Sequence, residues 1–369
     1  MQKTISVNMK VISSTKGSGI YIVAGIMSGT SLDGVDVAFC SFEEHKGNWH
    51  YEILAAKTFA YNISWRKALT EAPLLEGEAL VRLDREYGNY LASLILSYVS
   101  RTGITPQLIA SHGHTVFHNP EGGYSYQLGH GVNIAARTGI PVVYDFRSTD
   151  IAKAGQGAPL VPVGDKLLFA GFDSCLNLGG FANISFDWEG ELTAFDICPV
   201  NIILNKLAQK NGQDYDKNGL IGRQGKVEPE LLKELNRTGY YSKDPPKSLS
   251  REWFESEFLR LFEHSDISTE DKLATAYDHI ACQIAQVLNS YKIKKVLVTG
   301  GGALNRFLIN RCKSKTDAEI ILPEKAILKY KEALIFACLG LLRVKNQINC
   351  MASITGATGN SVCGAVAVS

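Results

Sequence analysis

The chain has 369 residues, 45% of them apolar and 20% charged, with a net charge of +1. That length is ample for two hydrophobic cores, and the near balance of acids and bases argues against a nucleic-acid surface or a polyacidic partner. No apolar run reaches the roughly 18–20 residues a membrane span needs; eight cysteines scattered from 40 to 363 without a CxxC pair exclude a cysteine zinc site and a secreted disulfide framework, pointing to reduced thiols in a cytoplasm.

Residues 1–19 lack the apolar core of a signal peptide and read as a flexible tail. Strand signals occupy 19–26, 35–42 and 51–59, and helical ones 64–70 and 76–100. In the longer helix Leu80, Leu83, Tyr87, Tyr90, Leu91, Leu94 and Ile95 recur mostly at spacings of three and four. Short strands follow at 107–111 and 139–146. From about Asp150 the pattern restarts, with strands at 174–178, 182–186 and 192–197 and helices at 199–210, 251–263 and 268–290. Ser268, with Asp271 three residues on, predicts a capped start for the last of these. A buried strand in IKKVLVTGGG and a helix over 331–345 close the series, while 236–250, NRTGYYSKDPPKSLS, reads as a long exposed connection. A strand–glycine loop–strand unit near the start of each half predicts two related α/β domains, with a ligand cleft between them. The expected boundaries are 20–150 plus 353–369 for the first and 151–352 for the second.

Three glycine loops carry the chemistry. In GIMSGTSLDGVDVAFC, the segment Gly29, Thr30, Ser31, Leu32, Asp33, Gly34, Val35 and Asp36 supplies backbone N–H groups and hydroxyls for phosphate. Asp33 and Asp36 are candidate Mg²⁺ ligands, directly or through water. There is no lysine as in GxxxxGK[ST], and the loop joins two strands, so it points to ATP phosphates held in a hairpin loop of the actin-like and sugar-kinase type. A plain turn with Asp33-Gly34 at its tip is the other reading. NLGGFANISF repeats the logic with Gly179, Gly180 and Asn183; VTGGGALN places Gly300, Gly301, Gly302 and Asn305 at a helix start, where flat backbone suits adenosine. Tight turns without ligand account equally well for either loop taken singly. A dinucleotide fingerprint is weak here, because Asn305 stands where its third glycine belongs.

These motifs, with SHGHTVFH, DFRSTDIAKAGQGAPLVPVGD, FDICPVN, KEALIFACLG and SITGATGNSVCGA, resemble the anhydro-N-acetylmuramic acid kinase family of the acetate and sugar kinase/actin superfamily, over about Ile20 to Val368. The resemblance implies two ribonuclease H-like α/β domains with an interdomain cleft, ATP and Mg²⁺ as cofactors, and a cytoplasmic homodimer with a small sugar as its partner. The implied reaction opens the 1,6-anhydro bridge with water and phosphorylates O6, giving N-acetylmuramic acid 6-phosphate for cell-wall sugar recycling. A kinase for another sugar, or a nucleotide-gated chaperone or actin-like module, is the alternative.

Asp196 ends the strand LTAFDI just before Pro199, where α/β ligands commonly bind, and the resemblance makes it the catalytic base. An Asp tied to the next helix start is the plainer reading. The family's D-x-G-P-G-N reads Asp196-Ile197-Cys198-Pro199-Val200-Asn201 here, which puts the loop's shape and the sugar specificity in question. The resemblance implies a sugar site lined by His112, Arg147, Gln156, Gly157, Ala158, Pro159 and Glu332. Arg147 suits the lactyl carboxylate, although an Asp145–Arg147 surface pair and a charged helix face at Glu332 are equally ordinary readings. His112, His114 and His118 also resemble a zinc cluster, but the family commonly has Gln in place of His114, which favours substrate or structural roles.

Overall fold

The computed structural model describes residues 19–29, 31–263 and 265–369. The expected tail up to residue 18 and the candidate Thr30 lie outside the described residues. Strands β1 (Tyr21–Ser28), β2 (Gly34–His45) and β3 (Asn48–Ala60) form consecutive antiparallel hairpins. Helix α1 (Ile63–Glu71) starts at Asn62, whose side chain accepts from Trp65 N, and α2 (Gly77–Thr102) stops at Gly103, where φ is +71° and a side chain is disfavoured. Leu83, Tyr87, Leu91 and Ile95 of α2 join Ile26, Val37 and Phe39 in one apolar cluster. Then come β4 (Leu108–Asn119), β5 (Tyr124–Leu128), α3 (Gly131–Thr138), β6 (Val142–Tyr144), α4 (Ser148–Ile151) and α5 (Val161–Leu168).

A second set follows: β7 (Ser174–Leu178), β8 (Phe181–Trp188), β9 (Glu191–Pro199), α6 (Asn201–Lys210) and α7 (Pro229–Asn236). A helical run over 251–263, comprising α8 (Arg251–Trp253), a π-turn and α9 (Leu259–Glu263), leads to α10 (Thr269–Ser290). Ser268 caps α10 as expected, accepting from Asp271 N at 3.1 Å, while the Asp271 carboxylate turns instead to Lys226 N. β10 (Lys295–Thr299), α11 (Arg306–Lys313) and β11 (Glu319–Ile321) complete the set. The chain ends with α12 (Lys325–Val344), non-helical at Tyr330, α13 (Ala352–Thr355) and β12 (Ala365–Ala367).

The molecule divides into unit 1, the chain up to Leu168 with Tyr330–Ser369, and unit 2, Phe169–Lys329. The sheet of unit 1 runs β12-β6-β4-β1-β2-β3 with β5 on β4, and that of unit 2 runs β11-β10-β7-β8-β9. In each, the first three strands are antiparallel, and two further strands run parallel to the first, β4 and β6 in unit 1 and β10 and β11 in unit 2. This is the ribonuclease H-like order, present twice.

The division differs from the expected boundaries at 150 and 353 because α5 and α12 pack with the first sheet. A Cβ on Gly25 of β1 would lie 1.8 Å from Ala333 O, one on Gly164 would meet Ile335, and one on Gly340 would meet Ala110. Lys331 Nζ and Asp165 Oδ1 form a buried ion pair at 2.7 Å between the same two helices.

Candidate active site

In unit 1, β1 and β2 place the first glycine loop at a hairpin, with Ser28 opposite Val35. Ser31 and Asp33 are exposed. Leu32 is left-handed at φ +58° and its N–H donates to Gly29 O at 3.4 Å. Gly34 and Val35 already belong to β2, and the Val35 side chain is buried in the core, so only its backbone is available to a ligand. Asp36, half-buried, accepts from Thr58 Oγ1 at 2.5 Å.

A neutral polar network anchors the loop from beneath. Ser28 Oγ is 2.9 Å from His114 Nδ1 and 2.7 Å from Tyr61 OH, which contacts Tyr87 OH. Burial lowers His114 to about 4 and raises Tyr61 to about 12, so neither is charged at neutral pH. Sequence reasoning gave Tyr87 only as part of an apolar helix stripe and missed Tyr61, which no motif marks.

The sugar-side candidates of unit 1 come together around Arg147. Its Nη1 donates to Gly157 O at 2.6 Å and its Nη2 to His112 Nε2 at 2.8 Å. Because a guanidinium only donates, His112 accepts at Nε2 and donates from Nδ1 to Gly113 O at 3.0 Å, which defines its tautomer. Burial, reinforced by the Arg147 charge, pulls His112 to about 3. Asp145 bonds Ser148 rather than Arg147, so the expected surface-pair alternative is not what forms.

The Gly155-Gln156-Gly157 turn hangs on buried Asp150, whose Oδ2 accepts from Gly157 N at 2.8 Å and whose Oδ1 accepts from Thr355 Oγ1 at 2.8 Å and Cys350 Sγ at 3.2 Å. A Cβ on Gly155 would lie 2.2 Å from Asp150 Oδ2, so glycine is required there. Gln156 and Pro159 are exposed beside it and Ala158 is half-buried. Glu332 keeps exposed surface, yet the protein crowded around its carboxyl pushes its pKa up; Lys331 and Arg147 pull it down, and Asp36 pushes it up again.

In unit 2, β9 carries Asp196. Its neighbour across the strands is Asn183 of β8, which pairs with Asn177 of β7, which pairs with Thr299 of β10. A polar row therefore crosses four strands, and the sequence reading lacked Asn177 and Thr299. Asp196 Oδ2 accepts from Leu249 N at 2.9 Å, its backbone N–H donates to Lys247 O at 3.3 Å, and its carbonyl accepts from Tyr240 OH at 2.6 Å. Burial pushes the carboxyl above the ordinary carboxylate range, and the Leu249 N–H draws it partly back. The segment 236–250 is thus no mere exposed connection: Tyr240 is buried and the stretch grips the candidate base.

Pro199 ends β9 instead of opening a helix, and α6 starts at Asn201. Asn201 Nδ2 donates to Leu178 O at 3.0 Å and Gly179 O at 2.8 Å, while Val200 N donates to Gly180 O at 2.8 Å. The retained Asn ties the junction to the second glycine loop. Cys198 and Val200, which replace the family's glycines, are buried in the unit 2 core. Their side chains are taken up by packing. In the third loop, Gly300 has φ +84° and a Cβ there would meet Leu178 O at 2.7 Å; Gly301 and Gly302 form a 3₁₀ turn behind it. Asn305 caps α11 through Phe307 N and Leu308 N, and its Nδ2 donates to Tyr277 OH at 2.8 Å.

The donor chemistry of unit 1 suits a hydrated Mg²⁺. Asp36 and Glu332 are oxygen-only groups whose charges oppose one another, a repulsion that a hard cation relieves. Asp33 is exposed at the same loop. For zinc the fit fails, because His112, His114 and His118 are engaged separately by Arg147, Ser28 and Ser125. Among the described residues no group of three or more His, Cys, Asp or Glu is arranged around a metal position. No helix among them is long and apolar enough to cross a membrane.

The family model described as anhydro-N-acetylmuramic acid kinase matches residues 21–369. The anhydro-N-acetylmuramic acid kinase of Hydrogenovibrio crunogenus is 34% identical over 368 residues, covering 95% of this chain and 98% of that protein. That of Synechococcus elongatus is 34% identical over 378 residues, covering 93% and 98%. Among solved structures, the activator of the 2-hydroxyisocaproyl-CoA dehydratase from Clostridium difficile with bound ADPNP aligns at a TM-score of 0.42 and 14% identity, covering 88% of this chain and 96% of that one.

Proposed function

The chain belongs to the anhydro-N-acetylmuramic acid kinase family, and on that premise we propose that it uses ATP and Mg²⁺ to convert 1,6-anhydro-N-acetylmuramic acid into N-acetylmuramic acid 6-phosphate. Asp196 takes a proton from water, and the hydroxide so formed adds to C1 of the sugar. The C1–O6 bond breaks, O6 takes the γ-phosphoryl group, and ADP leaves. The observation that carries the reading is Asp196 itself: a half-buried carboxylate, aimed by the Leu249 N–H, with its pKa raised toward the range in which a general base works well.

The backbone of Gly29–Asp36, with Thr30 and Ser31, would cradle the phosphates, and Gly179, Gly180, Asn183 and Gly300–Gly302 would carry the rest of the nucleotide. Asp33 and Asp36 would hold Mg²⁺, directly or through its water shell, and the ion when bound would offset charge on the transferring phosphoryl group. Burial, with the Arg147 charge beside it, keeps His112 neutral; Arg147 also holds the Gly157 carbonyl and would offer its charge to the lactyl carboxylate. By family likeness the enzyme works as a cytoplasmic homodimer in cell-wall sugar recycling.

The test is mass spectrometry of the products formed from ATP, Mg²⁺ and the anhydro sugar in ¹⁸O water. One label at C1 and none in the phosphate is expected. Label in phosphate, or ATP consumption indifferent to the sugar, overturns the scheme.

A further inference from the structure

Within unit 2, the segment that grips Asp196 is itself held from behind by α10. Gly239–Ser242 form a 3₁₀ turn, in which Tyr241 N donates to Thr238 O at 3.0 Å and Lys243 N to Tyr240 O at 3.2 Å. Two tyrosines stand side by side in this turn, and their hydroxyls reach different elements. Tyr240 OH donates to Asp196 O in β9 at 2.6 Å, while Tyr241 OH lies 2.9 Å from His279 Nε2 in α10. His279 Nδ1 is 2.7 Å from Asn236 Oδ1 at the end of α7, and the same oxygen accepts from Gln283 Nε2 at 3.0 Å.

The direction of each bond follows from charge state and chemistry. Burial lowers His279 to about 3 and raises Tyr241 well above the ordinary phenol, so both are neutral near pH 7. A neutral imidazole has one donor and one acceptor. An amide oxygen only accepts, so Nδ1 carries the proton and Nε2 accepts from Tyr241 OH. His279 is 1% exposed, and its ring packs on Phe258 of the unit 2 core with centroids 5.4 Å apart. An apolar side chain would fill that space without burying polar atoms. What the imidazole adds is register, because a satisfied buried network admits one placement of the Tyr241 hydroxyl and hence of the turn. Lys247 brings a cation to the Asp196 side of the segment, its Nζ 5.1 Å from the Tyr240 ring centre and 5.5 Å from that of Phe195, and donates to Lys243 O at 2.8 Å.

We propose that His279 is a positioning residue for the base: by accepting from Tyr241 it fixes the 239–242 turn, and through Tyr240 and the chain onward to Leu249 it sets where the Asp196 carboxylate points. The proposal rests on the reading of Asp196 as the base and adds the element that aims it.

A kinetic cycle of His279→Leu, Asp196→Asn and the variant carrying both tests it, each protein assayed well below its melting temperature. His279→Leu is expected to lower kcat by ~10–10², to leave KM for ATP and for the sugar unchanged, and to cost nothing further where Asp196 is already Asn. His279→Leu leaves the Tyr241 hydroxyl buried without its acceptor, so Tyr241→Phe is combined with it. With both partners apolar the protein should melt near wild type, and kcat should stay as low as with His279→Leu alone. A wild-type kcat in either variant, a loss carried by KM, or the same fold-loss on top of Asp196→Asn overturns the positioning role while the kinase reading stands. Asp196→Asn that turns over at the wild-type rate overturns the base and this inference together.

Discussion

Asp196 concentrates the residue-scale argument, because its carboxylate is oriented by a backbone N–H while burial resists its charge. Asp196→Asn is expected to lower kcat by ~10²–10⁴. Its stability follows from the sign of the shift. A carboxyl with a raised folded pKa costs the native state at neutral pH, and stability from this group rises as pH falls through that pKa. The neutral amide removes the cost, so the melting temperature should match wild type or exceed it slightly. Thermal melts beside turnover assays check this; a variant that melts far below wild type marks the Asp as structural. Arg147 makes a comparable point, since its charge is legible in the sequence but its tie to His112 and Gly157 is not.

Elements decide how that base is held. β9 brings Asp196 beside Asn183, and the 240–249 stretch returns to bind it from the other side through Tyr240, Lys247 and Leu249. Leu249→Pro deletes the N–H that stabilises the charged form. The carboxyl should then titrate at higher pH, and because the base works deprotonated, the acid limb of the kcat profile should move upward. A pH–rate profile with the acid limb unmoved, in a variant that still melts as wild type, would show that the contact does not tune the base. The strands flanking the first two glycine loops were readable from alternation and glycine spacing. The clamp was not, because its residues look like any turn-rich segment and reach Asp196 from 44 and 53 positions away in sequence, one by a hydroxyl and one by a backbone N–H.

At the scale of the molecule, three imidazoles are held neutral: His112 at about 3, His114 at about 4 and His279 at about 3, each chiefly through burial. Their folded pKa values lie below the unfolded value, so the unfolded chain takes up the protons first. Stability is therefore complete above about pH 6.5 and is lost as pH falls below it, by roughly 4 kcal/mol per pH unit at most for the three together. Urea midpoints should drop between pH 7 and pH 5, and these three imidazole NMR signals should not titrate in that window. Signals that titrate near 6.5 would refute the assignment. The load is shared, two histidines in unit 1 and one in unit 2, so both units should weaken with acid.

What the sequence by itself determined is local: strand and helix periods, glycines where backbone must bend or approach closely, and the motifs that resemble one kinase family from end to end. Those signals are short in range and survive without knowledge of neighbours. Only the tertiary structure decided that α5 and α12 belong with the first sheet, that Cys198 and Val200 point into a core, and that the buried Ser111 hydroxyl has no partner among the described residues. Each of these depends on which distant side chains exclude water from a group, and burial is a property of the packed chain that no local spacing encodes.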